Sequence, residues 1–346
     1  PSSLHSFGFD CEKVITESKN TILKALSSDG NLVFTSGGTE ANNTVILGTA
    51  EAYKRKGRHF ITTRVEHPSV AAAYKELERQ GAEVTYLSLD EGGNISFDEL
   101  KETVREDTVL VSLMAVNNET GTVNDLQKIY DIIKKKNPNT LYHADCVQAF
   151  CKHSINGKFA DFITVSSHKI FGTKGCGAIF FKKGLRFTPR ILGGEQQNGI
   201  RPGTENTPGI AAFGAAASDL CDRISENYER VKAVKESLIE ITDILPDIEV
   251  NGKNTSPYIL NLSFKGVRGE VLLHVLEDRG IYVSTGSACS SKAKKNENTV
   301  AKIWGVPRGG SAVRFSFSSE NTVEEAQEVK AVLAELVPQL RKFQRH

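Results

Sequence analysis

The sequence predicts an α/β protein, in which a mostly parallel sheet wrapped by helices is followed by a smaller C-terminal α+β domain. Three observations predict it. Over the first two-thirds of the 346 residues, short apolar strand-like runs alternate with stretches of helical period. Several of those runs end in polar or glycine-rich turns, as in open sheets whose carboxyl edge carries a site. From about Thr207 the texture changes to long helical stretches with a few strands between them. The domains divide as 1–222 and 223–346, and the second, roughly 120 residues long, is of ordinary domain size.

Each element has its own signal. A helix over about Gly8 to Ser27 carries Cys11, Val14, Ile15, Ile22 and Leu26 on one face. The strand Asn31 to Thr35 runs into Gly37-Gly38-Thr39 and a helix ending near Lys56. Strand HFITTRV, helix SVAAAYKELERQG and strand AEVTYLSL follow. Ser96-x-x-Glu99 reads as a capping box opening the next helix. Then come strand TVLVSLMAV, helix DLQKIYDIIKKK and the strands TLYHAD, FITVSS and GAIFFKK. The second domain opens with a helical stretch to about Leu245. Strand YILNLSF, helix EVLLHVLEDRG, strand IYVST and strand AVRFSFS lead to a final helix opened by Thr322-x-x-Glu325.

Composition narrows the function classes. A net charge of +1, with 25% charged and 39% hydrophobic residues, gives no electrostatic case for nucleic acid or a membrane surface. No apolar run approaches bilayer length, and no signal-peptide pattern is visible. Pro1 is expected to follow an upstream segment. The six cysteines lie far apart without C-x-x-C, so reduced thiols in a cytoplasmic protein are expected. The eight histidines form no H-x-x-x-H, and no protein metal site is expected.

The candidate chemistry sits at strand ends. In VSSHKIFGTKG, Lys169 follows Ser166, Ser167 and His168 in a glycine-punctuated turn. It is a candidate Schiff-base lysine among phosphate donors, or a surface lysine in a polar loop. TSGGTEANN places Gly38 and Thr39 where a helix N-terminus aims N–H groups at an anion, or simply turns the chain. YHADCVQ ends an apolar strand in Asp145, with Gln148 three residues on. A carboxylate there suits a protonated ring nitrogen, or caps the next helix. VEHPSV and MAVNNETG put His67 and Asn118 at two more strand ends. RPGTEN carries Arg201 and Thr204, and Arg314 on a late strand is a candidate carboxylate clamp. Cys289, in TGSACSSKAKKNENT, lies among Gly, Ser and Ala ahead of a polar run, a tethered thiol rather than a core one.

Taken in order, TSGGTEANN, EHPSV, NNETG, HADCVQ, SSHKIFGTKG, GIRPGTEN, TGSACSS and VRFSFS resemble the successive signatures of cysteine desulfurases of the NifS/IscS type. These are class V pyridoxal-phosphate enzymes with the aspartate-aminotransferase fold (fold type I). The resemblance spans almost the whole chain, and its SSHK and GSACSS segments are the most specific. It implies pyridoxal 5'-phosphate as cofactor, with Lys169 linked to its aldehyde, Asp145 on the ring nitrogen and Gln148 on the phenolic oxygen. His67 would stack on the ring and help move protons. Gly38, Thr39, Ser166, Ser167 and His168 would hold the phosphate, with Thr204 reaching across from the other subunit of a homodimer. Asn118, counted with the cofactor contacts, would bind the substrate carboxylate together with Arg314.

The resemblance makes Cys289 the nucleophile that takes sulfur from L-cysteine as a persulfide, leaving L-alanine. A tethered thiol can visit both a closed pocket and an acceptor protein outside it. That acceptor would be an iron–sulfur scaffold or a thiolation enzyme. A free thiol has a pKa of about 8.5, so the substrate thiol, His67 or Lys292 would have to help form the thiolate. Selenocysteine lyase and a class V aminotransferase are the alternatives.

The chain departs from the family at several points. An Ala-Thr-Thr-like opening strand is absent ahead of PSSLH, Thr173 replaces a usual proline, and Asn198 replaces a frequent arginine. Cys146 replaces a small residue beside Asp145, and the SKAKKNEN run is unusual in its charge.

Overall fold

The computed structural model describes Pro1 and residues 5–286 and 298–343. The chain forms two compact units. The first comprises residues 1–88, 96–115 and 124–224, and the second 89–95, 116–123 and 225–346.

In the first unit the elements run α1 (Ser6–Ala25), β1 (Asn31–Thr35), α2 (Gly38–Ala52), β2 (His59–Thr63), α3 (Pro68–Arg79), β3 (Glu83–Leu87), α4 (Phe97–Thr103), β4 (Thr108–Met114), α5 (Leu126–Lys136), β5 (Leu141–Asp145), β6 (Phe162–Ser166), β7 (Gly177–Phe181) and α6 (Thr207–Cys221). The strands form one seven-stranded sheet in the order β1-β7-β6-β5-β4-β2-β3. β7 pairs antiparallel with both neighbours, while the others run in one direction. The mixed α/β class with a mostly parallel sheet, read from the alternation, is what forms.

The strands carry near-continuous apolar runs because helices cover the sheet, and β2, β4, β5, β6 and β7 are buried throughout. Val45 and Ile46 of α2, Val70 and Leu77 of α3, Phe60 and Phe162 join one core. Each such side chain contributes about 1.5–3 kcal/mol on burial. Tyr74 belongs to the same core, and its hydroxyl donates to the Ile61 carbonyl at 3.0 Å, so this buried hydroxyl is satisfied.

The second unit contains α7 (Ile224–Ile239), α8 (Ile241–Ile244), β8 (Ile248–Val250), β9 (Ile259–Phe264), α9 (Gly269–Glu277), α10 (Thr299–Trp304), α11 (Val306–Gly310), β10 (Ala312–Ser316) and α12 (Val323–Phe343). Its three strands pair antiparallel in the order β10-β9-β8. Leu260, Leu262, Phe264, Val313, Leu333 and Val337 lie in its core.

Four local expectations change. Residues 281–285 form no strand; only Ser284 bridges to Arg314, because pairing stops after that one residue. The helical stretch to Leu245 breaks into α6, α7 and α8. The Ser96 box is half built: Ser96 Oγ accepts from the Glu99 N–H at 3.2 Å, but the Glu99 carboxylate turns to the Ser88 N–H at 2.9 Å. Thr322 and Glu325, by contrast, exchange both bonds. Finally, not all cysteines are free thiols. Cys151, in the turn after β5, is disulfide-bonded to Cys221 at the end of α6, a pairing over 70 residues that spacing could not reveal.

Candidate active site

Because β1, β2, β5 and β6 run the same way, the turns after them leave the same edge of the sheet. The sequence-derived candidates of the first unit stand on these turns, except Arg201 and Thr204, which precede α6. Gly37 and Gly38 make the turn from β1 into α2. Gly37 takes φ 150°, ψ −178°, which side-chain-bearing residues avoid, and a Cβ on Gly38 would lie 2.9 Å from Val147 Cγ2. A Cβ on Gly177, where β7 begins, would meet Gly37 backbone at 2.7 Å. Glycine is thus required where β7 passes under the turn. No side chain caps α2, so its first N–H groups face the edge. Glu40 in that first turn accepts from the Ser36 N–H at 2.8 Å and from Arg201 Nε at 3.0 Å, and Arg201 offsets its charge. Thr39 is exposed.

At the end of β6, Ser166 Oγ lies 2.9 Å from His168 Nδ1, and Lys169 is half-buried in the short turn Ser167–Ile170. Phe171 closes that turn in the left-handed region at φ 64°. Ser167 buries its hydroxyl without a hydrogen-bond partner among the described residues. Its N–H donates to the Cys176 carbonyl at 3.0 Å, and its buried hydroxyl lies where a Cβ on Gly172 would come within 2.1 Å. His168 is held below the ordinary imidazole pKa by burial, then by the charges of Lys169, Lys174 and Lys152.

Asp145 ends β5, in register with Thr164 of β6 and Met114 of β4. It is 5% exposed. One carboxylate oxygen accepts from the Val147 N–H at 3.0 Å and the other from Asn42 Nδ2 at 2.8 Å. Gln148 is half-buried in the turn that follows. His67 is the N-cap of α3, with Nδ1 2.8 Å from Ser69 Oγ. Ser69 Oγ in turn accepts from Asn42 Nδ2 at 2.9 Å.

The turn after β4 belongs to the second unit, so Asn118 is described with Arg314. Arg314 Nη1 donates to the Asn118 backbone carbonyl at 2.7 Å, while its Nε is buried without a partner among the described residues. Thr204 is exposed. Cys289 and Lys292 lie outside the described residues.

Comparisons with known proteins settle the family. The class-V aminotransferase family model matches residues 1–329. A cysteine desulfurase IscS from Clostridium botulinum (strain Hall, type A) is 38% identical over 99% of this chain and 88% of its own length. Among solved structures, a NifS-like protein superposes with a TM-score of 0.91 at 32% identity, covering 98% of this chain and 91% of its own. A structure of SspA in complex with cysteine gives a TM-score of 0.80 at 28% identity, over 92% of this chain and 90% of that one.

The chain belongs to the class-V aminotransferase family, among the cysteine desulfurases.

Class-V cysteine desulfurases depend on pyridoxal phosphate, and the residues present fit it. Burial pushes the Asp145 carboxyl above the usual carboxylate range, against the pull of the Val147 N–H, the Asn42 amide and nearby His67. A buried carboxylate whose hydrogen bonds come from neutral dipoles lacks the cation that would repay its desolvation. A protonated ring nitrogen is such a cation. The uncapped Gly37–Gly38 turn offers N–H groups to a phosphate. Neighbouring Glu66 is pushed up to about 8 by burial and by the Asp145 charge, so it is neutral at pH 7. In the second unit burial lowers the Arg314 pKa, and its Nε has no acceptor among the described residues.

Sequence reading missed Asn42, Ser69, Glu66, Thr164 and His143. For Asn42 the available signal was its spacing: Asn42 and Thr49, seven residues apart, put two polar side chains on one buried face of α2.

Proposed function

We propose that this desulfurase acts on L-cysteine, moving its sulfur onto Cys289 as a persulfide, releasing L-alanine and passing the sulfur to an acceptor protein. The observation that carries the reading is Asp145, a buried carboxylate at the sheet's carboxyl edge whose hydrogen bonds all come from neutral donors.

Pyridoxal phosphate, when bound, supplies an electron sink for the bond electrons released at the substrate Cα. The protein's own residues do the rest. Asp145 holds the proton on the ring nitrogen, and Gln148 donates to the phenolic oxygen. The Gly38–Thr39 turn, Ser166 and His168 hold the phosphate. Lys169 anchors the aldehyde and, once displaced by the substrate amine, takes and returns the proton at Cα. His67 covers the ring and exchanges protons with the substrate. Arg314 and Asn118 hold the substrate carboxylate. The Cys289 thiolate attacks the substrate sulfur: the S–S bond forms as the Cβ–S bond breaks, its electron pair stays with the carbon fragment, and protonation yields alanine.

We further propose that the enzyme works as a homodimer, with Thr204 completing the partner's phosphate site. Exposed Phe171 (66%), Ile191 (43%) and Leu192 (87%) in the turn after Lys169 and the segment before Thr204 support that reading. An iron–sulfur scaffold or a thiolation enzyme is the proposed acceptor, and the cytoplasm the proposed site of action.

The test is incubation of the cofactor-loaded protein with L-cysteine, following alanine and protein-bound persulfide. Cys289→Ser is expected to bind cofactor and cysteine yet form no persulfide. Wild-type sulfur release by that variant would remove Cys289 from its role.

A further inference from the structure

One group outside the assigned set connects two members of it. Asn42, on the second turn of α2, is 1% exposed, and every polar atom of its amide is used. Nδ2 donates one N–H to Asp145 Oδ2 at 2.8 Å and the other to Ser69 Oγ at 2.9 Å. Oδ1 accepts from Thr164 Oγ1 at 2.6 Å.

The directions of these bonds follow from donors that cannot reverse. The Ser69 backbone N–H points at His67 Nδ1 at 3.2 Å, and an N–H can only donate, so Nδ1 is an acceptor. Ser69 Oγ, receiving an N–H from Asn42, therefore gives its own proton to Nδ1 at 2.8 Å. Neutral His67 must then carry its proton on Nε2. On the other side, Thr164 Oγ1 gives its proton to Asn42 and accepts from His143 Nε2 at 3.1 Å, while His143 Nδ1 takes the Ser112 hydroxyl proton at 3.1 Å. His143 is fully buried and stays neutral, pushed down to about 3 by burial. The Asp145 carboxylate, which only accepts when ionised, sets the orientation of the Asn42 amide, and Thr164 and His143 complete its oxygen side.

We propose that Asn42 is a positioning residue that sets the aim of the Asp145 carboxylate and directs the Ser69 hydroxyl proton onto His67 Nδ1 together, through one side-chain amide. The inference rests on the reading that Asp145 and His67 flank the cofactor ring. The two N–H groups of one planar amide keep a fixed separation, so Asp145 and Ser69 cannot shift independently. His67 then presents Nε2–H, a donor, rather than a bare nitrogen. The ring's carboxylate and its stacked imidazole are tuned from a single point.

The test uses two variants. Asn42→Ala removes both branches, and Ser69→Ala removes only the branch to His67. Cofactor-free protein is titrated with pyridoxal phosphate, and the His67 ring is followed by long-range nitrogen–proton NMR. Losing a hydrogen bond to a charged group corresponds to about a 10- to 100-fold effect on binding. Asn42→Ala is expected to weaken cofactor binding about 10-fold or more and to move the His67 Nδ1 signal toward that of a more weakly hydrogen-bonded nitrogen, while the Ser69 backbone N–H keeps the Nε2–H tautomer. Ser69→Ala is expected to disturb the His67 signal while cofactor affinity stays within about 3-fold of wild type. An Asn42→Ala protein with wild-type affinity and an unchanged His67 Nδ1 signal overturns the proposal. If that variant does not fold, Ser69→Ala decides: an unchanged His67 signal overturns it. A wild-type protein that binds no pyridoxal phosphate, yet shows the Nε2–H tautomer and a shifted Nδ1 signal in the variants, would fail the functional reading and leave the wiring standing.

Discussion

Asp145 and Asp161 are both buried, 5% and 4% exposed, and lie at opposite ends of the β5–β6 pair. Asp161 is surrounded by cations. Lys134 Nζ approaches Oδ2 at 2.7 Å and Lys182 Nζ approaches Oδ1 at 3.5 Å, while the Tyr142 N–H donates at 2.9 Å. Among the described residues, Asp145 has only an amide and a backbone N–H as donors. The same side chain at similar burial is a completed ion cluster at one end and an unfinished one at the other. A structural carboxylate brings its countercharge with it in the fold; one reserved for a ligand leaves that place to be filled.

The largest effect expected from breaking this contrast is on activity. Asp145→Asn is expected to lower alanine formation from L-cysteine about 100-fold or more, since removing one partner of a desolvated charge pair costs 2–5 kcal/mol or above. A variant within about 3-fold of wild type would mean that Asp145 does not meet a cation in the working enzyme.

Next in size is a stability effect at the other end. Asp161→Asn leaves Lys134 and Lys182 without their carboxylate and is expected to cost about 3 kcal/mol in urea unfolding of the cofactor-free protein. A loss below about 1 kcal/mol would erase the distinction drawn between the two sites.

Glu66 sharpens the comparison through pH. Its folded pKa, about 8, lies above the ordinary 4.5, so between those values the folded state binds more protons than the unfolded one. Its contribution is therefore fully present below about pH 4.5 and is lost as pH rises through 8. The slope would reach about 1.4 kcal/mol of stability per pH unit. Glu66→Gln is expected to flatten the stability curve of the cofactor-free protein over that interval; an unchanged curve would mean that Glu66 is ionised in the fold.

The smallest expected effect comes from Lys182→Met. Lys134 still holds Asp161 at the shorter distance, so a loss of about 1 kcal/mol is expected in the same unfolding assay. A loss matching that of Asp161→Asn would make Lys182 the principal partner.

Much of this was legible in the chain. The strands that stop in Asp145 and Ser166, and the turn after β2 that carries His67, are read directly, because apolar runs mark the buried strands and polar residues mark where they emerge. What was not legible depends on distance along the chain. Asn42 meets Ser69 across 27 residues, Asp145 across 103 and Thr164 across 122, and no local pattern encodes those meetings. The Cys151–Cys221 bond is of the same kind. Glu99 shows a second limit: its spacing fits a capping box, but a nearby unpaired N–H on Ser88 competes for the carboxylate and wins it. The 281–285 run has strand composition, yet it pairs only at Ser284, and composition alone does not supply a partner.

The most direct measurement compares thermal unfolding of wild type, Asp145→Asn and Asp161→Asn, each with and without saturating pyridoxal phosphate. Without cofactor, Asp145→Asn should unfold within a few degrees of wild type and Asp161→Asn well below it; with cofactor, wild type and Asp161→Asn should both gain, and Asp145→Asn should lose most of that gain. An Asp145→Asn protein that is as crippled as Asp161→Asn when empty, and gains as much as wild type when loaded, would contradict the account.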